Sequence, residues 1–255
     1  MRQKTSWGKV ANWYDDLLEN GGGTYQKDLV LPNLLRLMDL KKGERMLDVA
    51  CGQGFFTREF AKTGVVLTGV DISKELIDIA KKKSPKEISF FVSKADKLPF
   101  EDATFDKVSI ILAIQNIENI SGVFSEAKRV LKTKGKVFIV MNHPCFRISK
   151  KSDWGFDDKK SIQYRRIDAY SSDIMTKIEM NPGEKDSKKK EYTVSFHKSL
   201  GNYFKIFQKN GFVVSNLEEW SSDKKSQAGP RQLAEDKARI EIPMFLLLEL
   251  AKIDF

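Results

Sequence analysis

From residue 44 onward, short unbroken apolar runs alternate with stretches whose apolar positions recur every three or four residues. The runs fit buried strands and the stretches fit amphipathic helices. This spacing predicts a strand from about 44, a glycine turn, a helix over 55–63, a strand over 65–70, a helix over 73–83 and a strand over 88–92. Ser73 is placed to cap the second of these helices. A strand over 105–112, a helix over 123–131 and a strand over 137–141 continue the rhythm. Continuous apolar strands joined through helices make a parallel, doubly wound α/β sheet, because parallel neighbours need crossovers and those crossovers cover both faces.

The flanks are read by the same rules. Residues 7–40 carry helical patterning with a break at Asn20-Gly21-Gly22-Gly23, and Pro32 is placed to open a further helix. Residues 143–195 break the rhythm: they are polar and lysine-rich, with scattered aromatics and a Pro182-Gly183 turn, and read as an insertion. A helix over 200–210 then stops at Gly211, a strand follows over 212–220, and 221–238 reads as a polar connection. Residues 240–253 are apolar enough for strand or helix, and Pro243 near their start favours a strand beside the sheet edge. At 255 residues without an internal repeat, one domain is expected: a helical lid over 1–40, a core over 41–142, a cap insertion over 143–196 and a closing helix and strands over 197–255.

The chemistry concentrates at the end of the first strand, where Leu47-Asp48-Val49-Ala50-Cys51-Gly52-Gln53-Gly54 runs into the next helix. Glycine admits positive φ and lets a ligand lie against backbone amides, and the following helix offers unpaired N–H groups. Asp71 closes the next apolar run about twenty residues later, where a ribose-binding carboxylate is expected in a nucleotide-binding βαβ unit. Two alternatives fail on single residues. A dinucleotide fingerprint needs a third glycine where Thr57 stands, and a triphosphate loop needs Gly-Lys-Ser/Thr where Gly54 is followed by Phe55-Phe56.

The stretch from Leu47 to Gly54 resembles the first motif of the class I S-adenosylmethionine-dependent methyltransferases, of the small-molecule type. That resemblance implies a Rossmann-like, mostly parallel seven-stranded sheet with helices on both faces and a cap insertion after the fifth strand. It implies S-adenosylmethionine as cofactor and in-line methyl transfer to O, N or C of a small-molecule acceptor, with no metal required. In that frame Asp48 holds loop amides or the donor's ammonium, Ala50, Gly52 and Gly54 form the cradle, and Asp71 with Ile72 takes the ribose. Asp96 would accept from the adenine amine while the Lys97 or Leu98 amide donates to the ring, and Ile114 would line the methionine side. The N-terminal segment resembles the family's lid element and supplies Tyr14 and Tyr25.

Acceptor residues are sought on the same edge. Gln115 leaves strand four, and His143 directly follows strand five, which makes it the candidate general base. His197, Tyr164, Arg147 and Arg166 are the candidate acceptor contacts, with Arg165 a further possible holder of an acidic group. Cys145 is assigned to packing. No Asn/Asp-Pro-Pro-aromatic follows strand four, which speaks against methylation of base amino groups.

The net charge of +9 admits an anionic partner, so an RNA methyltransferase stands as the alternative, with a non-catalytic cofactor-binding module behind it. The excess is mostly lysine in small groups (Lys81-Lys82-Lys83, Lys188-Lys189-Lys190, Lys224-Lys225), which reads as solvated surface. Two cysteines without metal-like spacing favour a reducing compartment, and no apolar segment is long enough to span a bilayer. A cytoplasmic protein without a membrane partner is therefore expected.

Overall fold

The computed structural model describes residues 6–181 and 190–253. Two short helices come first, α1 (Ser6–Lys9) and α2 (Ala11–Glu19), then a π-helical turn over Gln26–Val30 that runs into α3 (Leu31–Met38) with Pro32 in its first turn. The alternating core follows as β1 (Arg45–Val49), α4 (Phe55–Ala61), β2 (Val66–Asp71), α5 (Lys74–Lys83), β3 (Ser89–Val92), β4 (Phe105–Ile111), α6 (Ile120–Val130) and β5 (Leu131–Asn142). Ser73 caps α5 by accepting from the Leu76 amide at 3.3 Å, and Gly211 at φ +75° ends α7 (Leu200–Lys209).

After the cap, the chain returns to the sheet with β10 (Phe212–Trp220) and β11 (Phe245–Lys252). The seven strands lie in the order β10-β11-β5-β4-β1-β2-β3. β11 runs antiparallel to both neighbours, so six strands share one direction. As Pro243 suggested, 245–252 is a strand next to the edge strand. One buried apolar face of the sheet packs under α6 and α7 and the other under α3, α4 and α5. Burial of these two faces supplies the main stabilisation, as apolar area removed from water.

Two segments differ from the sequence reading. The polar insertion forms two antiparallel hairpins, β6 (Ser152–Asp157) with β7 (Ile162–Ile167), and β8 (Ile174–Glu179) with β9 (Tyr192–His197). Neither face of these hairpins is fully buried, and β7 sets an exposed face against a half-buried one, so no clean hydrophobic alternation announces them. The supposed polar connection contains a helix, α8 (Gln232–Glu241), in which only Ala238 is buried. Its residues are good helix formers without an apolar stripe, which periodicity does not detect. The Pro182-Gly183 turn and Lys188-Lys189 lie outside the described residues. No helix among the described residues is long and apolar enough to cross a membrane.

Candidate functional site

The site starts from backbone conformation. Ala50, Gly52 and Gly54 all take positive φ, at +56°, +58° and +82°, so the chain coils tightly between β1 and α4. A Cβ on Gly54 would stand 3.1 Å from Ala80 and from the Phe90 ring, so the turn packs directly on α5 and β3. The Gly52 amide points across to β2 and donates to Asp71 Oδ2 at 3.0 Å, while the Ser73 amide donates to Oδ1 at 2.8 Å. Asp71 is only 7% exposed, and burial raises its pKa against the opposing effect of these amides. Its carboxylate is thus oriented by backbone on both oxygens and keeps acceptor capacity on each.

Asp71 and the glycine turn form the floor of a cleft at the carboxyl edge of the sheet. Ile72 and Leu76 make one wall, and the end of β4 with the 3-10 turn after it supplies the other through Leu112, Asn116 and Ile117. Trp7 and Tyr14 roof it, their rings meeting edge to face at 5.5 Å. Burial, then the negative charge of Asp71 and Asp48, pushes the Tyr14 phenol up to about 12, so it stays protonated.

The roof is tied down at several points. Arg58 of α4 holds Glu19 of α2 and the Gln53 carbonyl, and Lys83 pairs with Asp15 at 2.7 Å. Above the cleft the lid meets the cap: Lys9 pairs with Glu191 at 3.2 Å and Ser6 donates to Thr193 at 3.2 Å. Asn116 completes the closure by donating to the Val194 carbonyl at 3.0 Å.

Of the residues expected at the donor site, Tyr14, Ala50, Gly52, Asp71 and Ile72 line this cleft. The others do not. Asp48 is buried beneath the turn, where Thr57 and Ser109 hydroxyls donate to it at 2.6 and 2.7 Å, and burial pushes its pKa up to about 6. It braces β1 against α4 and β4 rather than facing a ligand. Gly54 supports the turn from behind. Ile114 is fully buried in the core, because the 3-10 turn rotates its neighbours Asn116 and Ile117 to the cleft instead. Asp96 accepts from Asn119 at 2.8 Å, the Leu98 amide donates to Glu126 at 2.7 Å, and the Lys97 amide donates to the Lys94 carbonyl at 3.2 Å. The two amides assigned to adenine are engaged within their own loop, whereas Asp96 keeps acceptor capacity beside its bond to Asn119.

The acceptor candidates are corrected more heavily. His143 is 1% exposed; its Nδ1 accepts from the Cys145 amide at 3.2 Å, so Nε2 carries the proton and donates to Glu219 at 2.6 Å. Burial holds its pKa down despite Glu219, and a neutral ring with both nitrogens engaged is an anchor for the cap, not a free base. His197 is 5% exposed and donates to the Tyr170 carbonyl at 2.8 Å inside the cap. Gln115 donates to the Asn142 carbonyl at 3.2 Å, bridging β4 to β5. Tyr164 lies over Gly155 and Arg166 pairs with Asp168 at 3.1 Å, both on the exposed face of β7. Tyr25 and Arg147 sit together, but in a second cavity further along the sheet edge. Nothing in the patterning singled out Trp7, Leu112, Asn116 or Ile117; the one usable signal was that residues leaving the end of β4 face the crevice.

Residues 47–139 match the methyltransferase domain family. The chain is 35% identical over 112 residues to a demethylmenaquinone methyltransferase of Tropheryma whipplei, covering 43% of this chain and 46% of that protein. It thus spans about half the length of the curated relatives it matches. Among solved structures it resembles an S-adenosylmethionine-dependent methyltransferase from Mesorhizobium loti, with TM-score 0.66 and 22% identity over 86% of this chain and 96% of that one. It also resembles a chain in a complex between the Haloferax volcanii Trm112 methyltransferase activator and a methyltransferase, with TM-score 0.67 and 18% identity over the whole of both chains. The motif from Leu47 to Gly54 and the strand order agree with the match of residues 47–139 to the methyltransferase domain family.

Proposed function

We propose that this protein transfers a methyl group from S-adenosylmethionine to a small-molecule acceptor admitted between the lid and the cap. The observation that carries the reading is Asp71, a buried carboxylate on the cleft floor, held by the Gly52 and Ser73 amides with acceptor capacity facing the cavity. A vicinal diol is the natural complement of such a group. The cradle also fits the donor: Gly52 lines the cleft at a positive φ of +58°, which leaves its backbone without a side chain toward a ligand. Bound there, S-adenosylmethionine supplies a methyl group already activated on a sulfonium.

The chain's own contribution is positional. Asp71 would hold the ribose, Ile72 and Leu76 would lie against the base, and Trp7 with Tyr14 would exclude water from above. Among the described residues, Tyr14 and Asp71 are the titratable groups lining the cleft, and neither is suited to remove a proton at neutral pH. Tyr14 is held protonated, and Asp71 is spent on orientation. Rate enhancement would then come from alignment and desolvation rather than proton abstraction.

Relatives named for a small-molecule reaction support the acceptor class. The lysine groups also support it, since Lys83, Lys224 and Lys225 each face an acid. The test is incubation with labelled donor and separate small-metabolite and RNA fractions. Label is expected among small metabolites; label confined to RNA, or donor binding without any transfer, would overturn the reading.

A further inference from the structure

Beyond the donor cleft, the same sheet edge carries a second cavity. Its place is set by the alignment of Asn142, Phe245 and Trp220 at the ends of β5, β11 and β10. Its walls come from remote parts of the chain: Tyr25 from the lid, Arg147 and Trp154 from the cap, Ser222 after β10 and Arg239 from α8.

The charges in this cavity are one-sided. Arg147 is half-buried; its amide donates to the His143 carbonyl at 2.7 Å, and its guanidinium makes no ion pair or hydrogen bond to another described residue. Arg239 is held through Nε, which donates to Ser226 Oγ at 3.0 Å, and its terminal nitrogens remain. Asp236, the acid near Arg239, is taken by the Ser226 amide at 2.7 Å and by Lys225. A third guanidinium, Arg165, sits 5.0 Å from the centre of the Trp154 ring and donates to the Phe146 carbonyl at 2.9 Å and Ser152 Oγ at 2.8 Å. Burial, then repulsion from Arg165 and Arg239 against an opposing pull from Tyr25, lowers the pKa of Arg147. Asp153 acts on Arg165 and Asp236 lies near Arg239, but no carboxylate is bonded to the Arg147 guanidinium or to the terminal nitrogens of Arg239, and a half-buried cation left so costs free energy that a bound anion relieves.

The cavity is also preorganised. The Trp154 ring is backed by Arg165, whose partner Ser152 in turn accepts from the Ile148 amide at 3.0 Å. Tyr25 is fixed by its contact with Ser222 at 3.0 Å and by Lys224 over its ring at 4.5 Å. Ile242 and Met244 add an apolar side. A planar fork of donors beside an aromatic wall suits an oxyanion attached to a flat or apolar body.

We propose that this cavity is an oxyanion subsite, with Arg147 and Arg239 gripping a carboxylate or phosphate group on the acceptor and Trp154 and Tyr25 flanking its body. The role of that ligand as acceptor rests on the methyl transfer proposed above; the anion site itself rests on the arginine geometry alone.

The test uses calorimetry on the full chain at low ionic strength with three probes: inorganic phosphate, benzoate and neutral benzamide. One of the two anions is expected to bind at a single site and benzamide is not, and the anion that binds identifies the head group. Arg147→Met and Arg239→Gln should each weaken that binding by about tenfold or more, and Arg147→Lys by less, because it keeps the charge and loses the fork. S-adenosylhomocysteine affinity should be unchanged in all three variants, which also shows that they fold. Absence of anion binding, benzamide binding as well as benzoate, or full anion affinity in Arg147→Met would overturn the subsite. Anion binding without any S-adenosylhomocysteine binding would leave the subsite standing and remove the donor reading instead.

Discussion

The two ends of the carboxyl edge are built by different means. On the donor side, a single stretch from Asp48 to Ser73 creates the floor, through three positive-φ residues and backbone amides aimed at one acid. On the side proposed for the acceptor, Tyr25, Arg147, Trp154, Ser222 and Arg239 converge from segments up to more than two hundred residues apart, and side chains do the work. A backbone-made site is tied to local sequence and serves any protein that binds the same donor. A side-chain-made site depends on how hairpins and helices dock, and it is where specificity resides.

The largest expected effect probes the rigidity of the donor side. Asp48 has its pKa pushed up to about 6 from an unfolded value near 4, so the folded state binds the extra proton between those values. Stability contributed by this proton is present below about pH 4 and falls as the pH rises to about 6, by on the order of 3 kcal/mol. Urea midpoints across that range should show the decline, and Asp48→Asn, which cannot ionise, should flatten it; an unchanged slope in the variant would mean that Asp48 is not the group responsible.

Asp71→Ala is next, and it acts on binding. Loss of its charge-assisted hydrogen bonds should weaken S-adenosylhomocysteine by about 1–3 kcal/mol in calorimetry. Unaltered affinity would mean that the diol lies elsewhere, and the contrast between the two sides would lose its anchor.

His143 sharpens the acceptor side. His143→Gln should cost about 1 kcal/mol of stability through the Glu219 and Cys145 contacts. The pH profile of methyl transfer should keep its shape, whereas disappearance of a limb near neutrality would restore His143 as the base. The smallest effect is expected at Arg166, whose partner Asp168 is also on the surface. Arg166→Ala should change stability by less than about 0.5 kcal/mol and leave benzoate or phosphate binding intact, in contrast to Arg147→Met.

The error at Arg166 shows why the acceptor side was hard to read. Side chains alternate across a strand, so Tyr164 and Arg166 share one face of β7 and Arg165 takes the other. Without a hydrophobic alternation to reveal β7 as a strand, the choice between Arg165 and Arg166 had no physical basis. His143 failed for another reason. Its place after β5 was read correctly, but the direction of its ring depends on Glu219 of β10, seventy-six residues away. On the adenine side, Glu126 of the following segment already takes the Leu98 amide, while Asp96, bonded to Asn119 through one oxygen, keeps acceptor capacity.

What the sequence determined by itself was local: the order of strands and helices in the core, the Ser73 cap, the reversal at Gly211, and the glycine turn with its acid at Asp71. These follow from hydrophobic period and from φ, which act over a few residues. Only the tertiary structure decided that Asp48 is a buried brace, that His143 is an anchor, and that Arg147 and Arg239 face one cavity. The direction of a side chain and the partners that satisfy it are set by packing between distant segments, and no local pattern encodes that convergence.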